Sequence, residues 1–179
     1  MRSLRARTCA DDLQREETLM TKGRYARQDK MIKEKRIDVY RNREKYPEPT
    51  VCGDCKALYT GGRWTWKETT ERANKTTCPA CRRISDRFPA GTIEMEGEFF
   101  DAHREEIINL VRNIEEQQKG EHPLERIMDV TNGGGKTVVT TTGVHVARRI
   151  GEALSRSYKG EFSFQYGDGE KTVRVYWSR

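Results

Sequence analysis

The chain lacks long apolar runs and is poor in apolar residues, which excludes several classes of protein. No stretch of about 18 or more apolar residues occurs, so the sequence predicts no transmembrane helix. No apolar signal segment precedes the cysteines, so we expect the chain to stay in a reducing, cytoplasmic compartment. Only 34% of the 179 residues are hydrophobic, whereas 35% are charged. We therefore expect small metal-stabilised modules rather than one large core.

Groups placed for catalysis are also missing. His103 lies near the apolar side of a predicted helix, but no nucleophile or carboxylate pair is placed with it. The run Asn132 to Lys136 (NGGGK) lacks the G-x4-G-K-S/T spacing of a phosphate-binding loop and leads into a strand. We therefore expect no enzymatic activity and no small-molecule substrate.

What the sequence does contain is two Cys-x2-Cys pairs separated by 22 residues. Each pair places two sulfurs on a tight turn, and two such turns supply the four thiolates of a tetrahedral zinc site. Between the pairs, Ala57 to Trp66 predicts a hairpin that turns at Gly61 and Gly62. We therefore predict a zinc ribbon with one structural Zn²⁺ per chain. The predicted ligands are Cys52, Cys55, Cys78 and Cys81.

Two other states of these cysteines are open. Disulfides would need an oxidising compartment. Rubredoxin-like iron would suit the run Cys78 to Cys81, but Lys56 and Arg82 stand after the second cysteines, where such sites usually have glycine. Four thiolates around Zn²⁺ carry a net charge of about −2, which we expect Lys56, Arg82 and Arg83 to offset. Four cysteines leave no open coordination position, so metal-assisted hydrolysis is not expected.

The positive charge of the chain is concentrated in its first quarter. The net charge is +6, and residues 1–50 hold 14 Lys/Arg and 9 Asp/Glu against 20 and 19 in the remainder. Because apolar residues are sparse, we expect residues 1–46 to form a disordered basic arm that binds RNA or, alternatively, only improves solubility. The predicted RNA contacts are Lys33, Lys35, Arg36, Arg41 and Arg43 in the arm, and Lys56, Arg82, Arg83 and Arg174 beyond it.

The ribbon is assigned to residues 47–97. Its last strand is predicted at Ile93 and Met95, which alternate with glutamates and would pack on the ribbon. Phe99 to Lys119 carries apolar residues at helical spacing, which predicts a connecting helix over residues 98–120.

Residues 121–179 predict a small unit of two strands, a helix from about Gly143 to Tyr158, and two further strands. Six side chains of the last two strands are expected to pair beneath the helix: Phe162, Phe164, Tyr166, Val173, Val175 and Trp177. Arg174 and Tyr176 would lie on the opposite face. The predicted fold class is therefore α+β, in which a zinc ribbon is joined by a helix to a small ββαββ unit and follows a disordered basic arm.

Three segments carry a resemblance to a known family. They are Cys52 to Cys81, the run Arg87 to Gly91 (RFPAG) with the helix after it, and Val138 to Tyr158. Over roughly residues 47–179 the chain resembles a family of short bacterial zinc-ribbon proteins. That family is distantly similar to the nonsense-mediated decay protein three family, the export adaptor of the large ribosomal subunit. Since bacteria have no nuclear export, the resemblance implies only binding to the large subunit or its RNA.

We therefore expect a cytoplasmic bacterial zinc protein, not an enzyme, that binds large-subunit ribosomal RNA during assembly or on idle ribosomes. It would need no membrane. The alternative is a zinc-ribbon adaptor that docks another protein, for example in transcription or stress regulation. The two differ in salt response, because counterion release makes RNA binding fall steeply with salt while an apolar protein interface changes little.

Overall fold

A computed structural model describes residues 38–40, 44–68, 72–167 and 171–179. These residues belong to one compact unit that spans Ile37–Arg179. Most of the predicted arm lies outside the described residues. So do five predicted RNA contacts: Lys33, Lys35, Arg36, Arg41 and Arg43.

The described residues form nine strands and four helices, which confirms the predicted α+β class. Strands β1 to β9 are Thr50–Cys52, Leu58–Thr60, Arg63–Thr65, Asn74–Thr76, Gly91–Glu96, Ile127–Gly133, Lys136–Thr141, Glu161–Tyr166 and Val173–Ser178. Helices α1 to α4 are Pro79–Asp86, Glu98–Ala102, Arg104–Glu121 and Val144–Tyr158. Below, "the ribbon" means β1–β4 with α1, and "the larger sheet" means β5–β9.

The ribbon contains a four-stranded sheet in the order β3-β2-β1-β4, with β1 antiparallel to β2 and parallel to β4. The predicted hairpin is confirmed as β2 and β3. Its turn residues Gly61 and Gly62 adopt positive φ values of 59° and 74°, which glycine permits at no steric cost. The carboxylate of Glu48 accepts both of their N–H groups, at 2.8 and 2.9 Å, and so fixes the turn.

The larger sheet has the order β6-β7-β5-β9-β8, with β5 at its centre, antiparallel to β7 and parallel to β9. The prediction that the strand of Ile93 and Met95 packs on the ribbon is therefore wrong. Both side chains are fully buried in the core of the larger sheet. Alternation along a strand shows which side chains face inward, but not which sheet the strand joins.

Helices α2, α3 and α4 contribute side chains to this core. The helix predicted over residues 98–120 is two helices, and Phe100 and Ile107 are buried against the larger sheet. Trp177 is 1% exposed, as the predicted strand faces require, and its Nε1 donates to the carbonyl of Lys159 at 2.7 Å. Phe164 was predicted to lie in the core but is 41% exposed. It belongs to the edge strand β8, where less of the helix layer covers the face.

Candidate metal centre

The four predicted ligands meet in the ribbon. All four Sγ atoms lie within 4.8 Å of one another. Cys52 and Cys81 are separated by 3.8 Å between sulfurs, and Cys55 and Cys78 by 3.7 Å. A tetrahedral site with metal–sulfur bonds of about 2.3 Å has sulfur–sulfur edges of about 3.8 Å. A disulfide would need about 2.05 Å, and all four cysteines are free. The spacing is therefore that of a tetrahedral metal site.

The first Cys-x2-Cys turn closes with a lysine in a conformation that usually belongs to glycine. Lys56 has a φ of 65°, and its N–H donates to the carbonyl of Cys52 at 3.1 Å. Its ammonium group donates to the carbonyl of Gly53 at 2.5 Å. Lys56 thus occupies the position where the sequence lacks the usual glycine, and its exposed head group binds the turn itself.

The second pair is built on the first turn of α1. Cys78 is the N-cap, and Pro79 begins the helix, where its missing N–H is not needed. The Cys81 N–H points to the sulfur of Cys78 at 3.4 Å, and the Cys78 N–H points to the sulfur of Cys52 at 3.3 Å. The sequence analysis did not predict α1, although a proline directly after a capping residue is a helix-start signal.

The protein environment moves the pKa values of Cys52, Cys78 and Cys81 in different directions. Burial raises the pKa of Cys78 above its ordinary range and, with nearby thiols, raises the pKa of Cys81 to about 11. Burial also acts to raise the pKa of Cys52, but backbone N–H groups outweigh it and bring the value down to about 7. A bound metal ion would offset the repulsion between adjacent thiolates and so favour their ionisation.

Tyr46 packs against the ribbon core that contains Cys52 and Cys78. The Tyr46 hydroxyl is buried and has no hydrogen-bond partner among the described residues. Its pKa is raised mainly by burial, and the neighbouring Cys78 contributes to the rise. Tetrahedral four-thiolate sites of this kind hold zinc or iron.

Arg126, which the sequence analysis missed, closes the other side of the site. Its Nη2 lies 3.0 Å from Sγ of Cys55 and 3.8 Å from Sγ of Cys78, and its Nη1 lies 3.6 Å from Sγ of Cys81. The residue is 8% exposed and directly precedes β6. Because 71 residues separate it from Cys55, no local sequence pattern could have indicated the contact.

Of the three cations predicted to offset the metal charge, Arg83 is bound away from the sulfurs. Arg83 is 3% exposed, pairs with Asp38 at 2.6 Å and donates to the carbonyl of Phe88 at 3.2 Å. It is therefore not accessible to RNA, and that predicted contact is wrong. Arg82 is half-buried, whereas Arg174 is exposed on the uncovered face of the larger sheet, as predicted.

No family model, curated protein or solved structure matches the chain. The resemblance to bacterial zinc-ribbon proteins therefore stays a prediction. None of the described helices is both long enough and apolar enough to cross a membrane.

Proposed function

We propose that the protein is a non-enzymatic, zinc-stabilised RNA-binding protein of the bacterial cytoplasm that associates with the large ribosomal subunit. Its role would lie in subunit assembly or on idle ribosomes. The observation that carries the proposal is the charge distribution. Residues 1–36 hold 11 Lys/Arg and 6 Asp/Glu, whereas residues 37–179 hold 23 and 22. A concentrated positive segment that precedes a four-cysteine module in the sequence suits a polyanionic partner.

The ribbon supplies the cations that would accompany this segment on RNA. Seven lysines and arginines in and around it are exposed: Lys45, Lys56, Arg63, Lys67, Arg72, Lys75 and Arg87. Trp66, directly after β3, is 40% exposed and offers a surface for base stacking. Cations and an aromatic ring on one rigid module can bind phosphates and bases together.

The uncovered face of the larger sheet is less suited to RNA. A cavity of about 270 Å³ lies there, lined in part by Glu94, Glu96 and Glu161. Lys136 pairs with Glu94 at 2.5 Å, which leaves the other two carboxylates to repel phosphate. The proposal therefore assigns RNA binding to the ribbon and the N-terminal segment, with Arg174 a minor contributor.

Binding to purified large subunits across a salt series tests the proposal. Deleting residues 1–36 should weaken binding and lower the magnitude of the log–log salt slope by about 0.7–0.9 for each phosphate that the protein no longer neutralises. Replacing Lys56 and Arg63 with glutamine should also weaken binding. The matched control replaces Arg149 and Arg156 with glutamine in the same way. Both lie in α4, outside the ribbon, so this variant should change binding little. If no form binds subunits or RNA, the proposal is wrong.

A second candidate function, docking of another protein, is favoured by an apolar surface near α1. Val39, Ile84 and Phe88 are 63%, 39% and 37% exposed. The rings of Tyr40 and Phe88 lie 5.9 Å apart and extend this surface. Absence of RNA binding together with salt-insensitive capture of a protein would favour this function.

A further inference from the structure

We propose that Arg126 is a positioning residue through which the metal centre holds the ribbon against the larger sheet, and that its guanidinium stabilises the metal-bound thiolates. This role is independent of RNA binding. It concerns how the chain's own residues respond to the metal, so it can be tested even if the RNA proposal fails.

The stem of Arg126 is fixed on the side of the larger sheet. Its backbone N–H donates to Thr142 Oγ1 at 2.9 Å, and its carbonyl accepts the Thr142 N–H at 2.9 Å. Its Nε donates to the carbonyl of Pro123 at 2.6 Å, which orients the guanidinium. These hydrogen bonds hold the side chain in one orientation, in which its two terminal nitrogens reach the sulfurs of the ribbon.

The cysteine sulfurs are the only groups able to carry a negative charge that this buried cation contacts among the described residues. No carboxylate of the described chain forms an ion pair with Arg126. A buried guanidinium without an anionic partner is strongly unfavourable. Four thiolates around a divalent metal carry a net charge of about −2, which supplies that partner. Metal binding and the position of Arg126 therefore stabilise each other.

Other contacts join the ribbon to the rest of the unit near Arg126. Trp66 Nε1 donates to the carbonyl of Lys119 at the end of α3, at 2.5 Å, and the Trp66 ring centre lies 5.7 Å from the Arg126 guanidinium carbon. Leu124 packs on the ribbon core. These contacts surround the guanidinium, so removing its hydrogen bonds to sulfur should loosen the whole junction.

Cobalt substitution tests the contact directly. In the Co²⁺-loaded protein, a hydrogen bond to a thiolate stabilises the sulfur lone pairs and raises the energy of the sulfur-to-cobalt charge-transfer band. Arg126→Met should therefore shift this band to lower energy. Arg83→Met is the matched control, because Arg83 is also a buried arginine and has no described contact to sulfur. It should leave the band unchanged even if stability falls.

Zinc release to a chromogenic chelator gives a second measurement. Arg126→Met should lower zinc affinity about tenfold or more, as is typical when an outer hydrogen-bond partner of a metal ligand is removed, and zinc release should be correspondingly faster. Hydrogen exchange of the loaded variant should accelerate at Glu125, Arg126 and Ile127. Val139 and Val175, in the centre of the larger sheet, should stay protected.

Arg126→Lys keeps the positive charge but has one donor nitrogen in place of the two terminal nitrogens of arginine. It replaces the methionine variant in these measurements if that variant fails to fold. We expect an intermediate band shift and intermediate zinc release from the lysine variant. A wild-type band and a wild-type release rate in a folded Arg126→Met variant would overturn the proposal and leave Arg126 a packing residue only. If that variant does not fold, the same wild-type values in Arg126→Lys would overturn it.

Discussion

Arg83 and Asp38 form an ion pair in which Nη2 of the arginine lies 2.6 Å from Oδ1 of the aspartate, with the arginine 3% exposed. The pair anchors residues 38–40 on α1. The Tyr40 ring lies 4.5 Å from the Arg83 guanidinium carbon, and its hydroxyl donates to Asp86 at 2.7 Å. Arg83 thus stabilises the fold, whereas the sequence had placed it among the predicted RNA contacts.

Replacing Asp38 with asparagine should destabilise the protein. The change leaves the Arg83 guanidinium buried without its anionic partner, and hydrogen bonds to charged groups contribute about 1.5–3 kcal/mol. We expect the free energy of unfolding, measured with urea, to fall by about that amount. Glu44→Gln, at an exposed position nearby, is the control and should change it by less than about 0.5 kcal/mol. Equal curves for both variants would show that the ion pair contributes nothing.

Replacing Cys55 with serine should abolish binding of the one metal ion per chain. Metal binding in small zinc modules supplies about 10–16 kcal/mol of apparent folding free energy, so the ribbon should unfold. The larger sheet, with its own core, should stay folded. Elemental analysis and limited proteolysis measure the two effects. Cys9→Ser removes a cysteine outside both pairs and should leave zinc bound. Iron instead of zinc in the wild-type protein would contradict the proposed metal.

Replacing Trp177 with alanine should remove a large part of the core of the larger sheet. The side chain is 1% exposed, and buried aromatic-to-alanine changes cost about 3–5 kcal/mol. Phe164→Ala is the matched control on the neighbouring strand, because its 41% exposure predicts a much smaller effect. Thermal or urea unfolding of the full chain measures both, and a larger destabilisation by Phe164→Ala would contradict the assigned faces.

The features that the sequence predicted correctly depend on short spacings. Two residues between cysteines put two sulfurs on one turn, and paired glycines between β-prone residues indicate a hairpin. The helix at residues 144–158 follows from its apolar period, and the inward face of Trp177 follows from strand alternation.

The features that it missed depend on contacts between distant segments. The β5 strand pairs with β7 and β9, both far along the chain, so nothing within residues 91–96 distinguishes the larger sheet from the ribbon. Arg126 reaches the sulfurs because the start of β6 lies beside the ribbon. Arg126 is far from the cysteines in sequence, whereas Arg83 is close to Cys81. Arg83 was therefore the more obvious candidate for a cation beside the metal.

The central position of β5 has a consequence for synthesis. All four cysteines precede β5 in the chain, so the metal turns can close as soon as they leave the ribosome exit tunnel. The partners of β5 are translated later, Lys136–Thr141 first and Val173–Ser178 last. During that interval β5 is a strand with one apolar face, formed by Ile93 and Met95, and two open edges, and it is bound covalently to a module that has already formed. Metal supply should therefore determine the state of the chain before the larger sheet forms. With metal, the unpaired β5 follows a folded ribbon; without metal, it belongs to an extended polypeptide that is prone to aggregation.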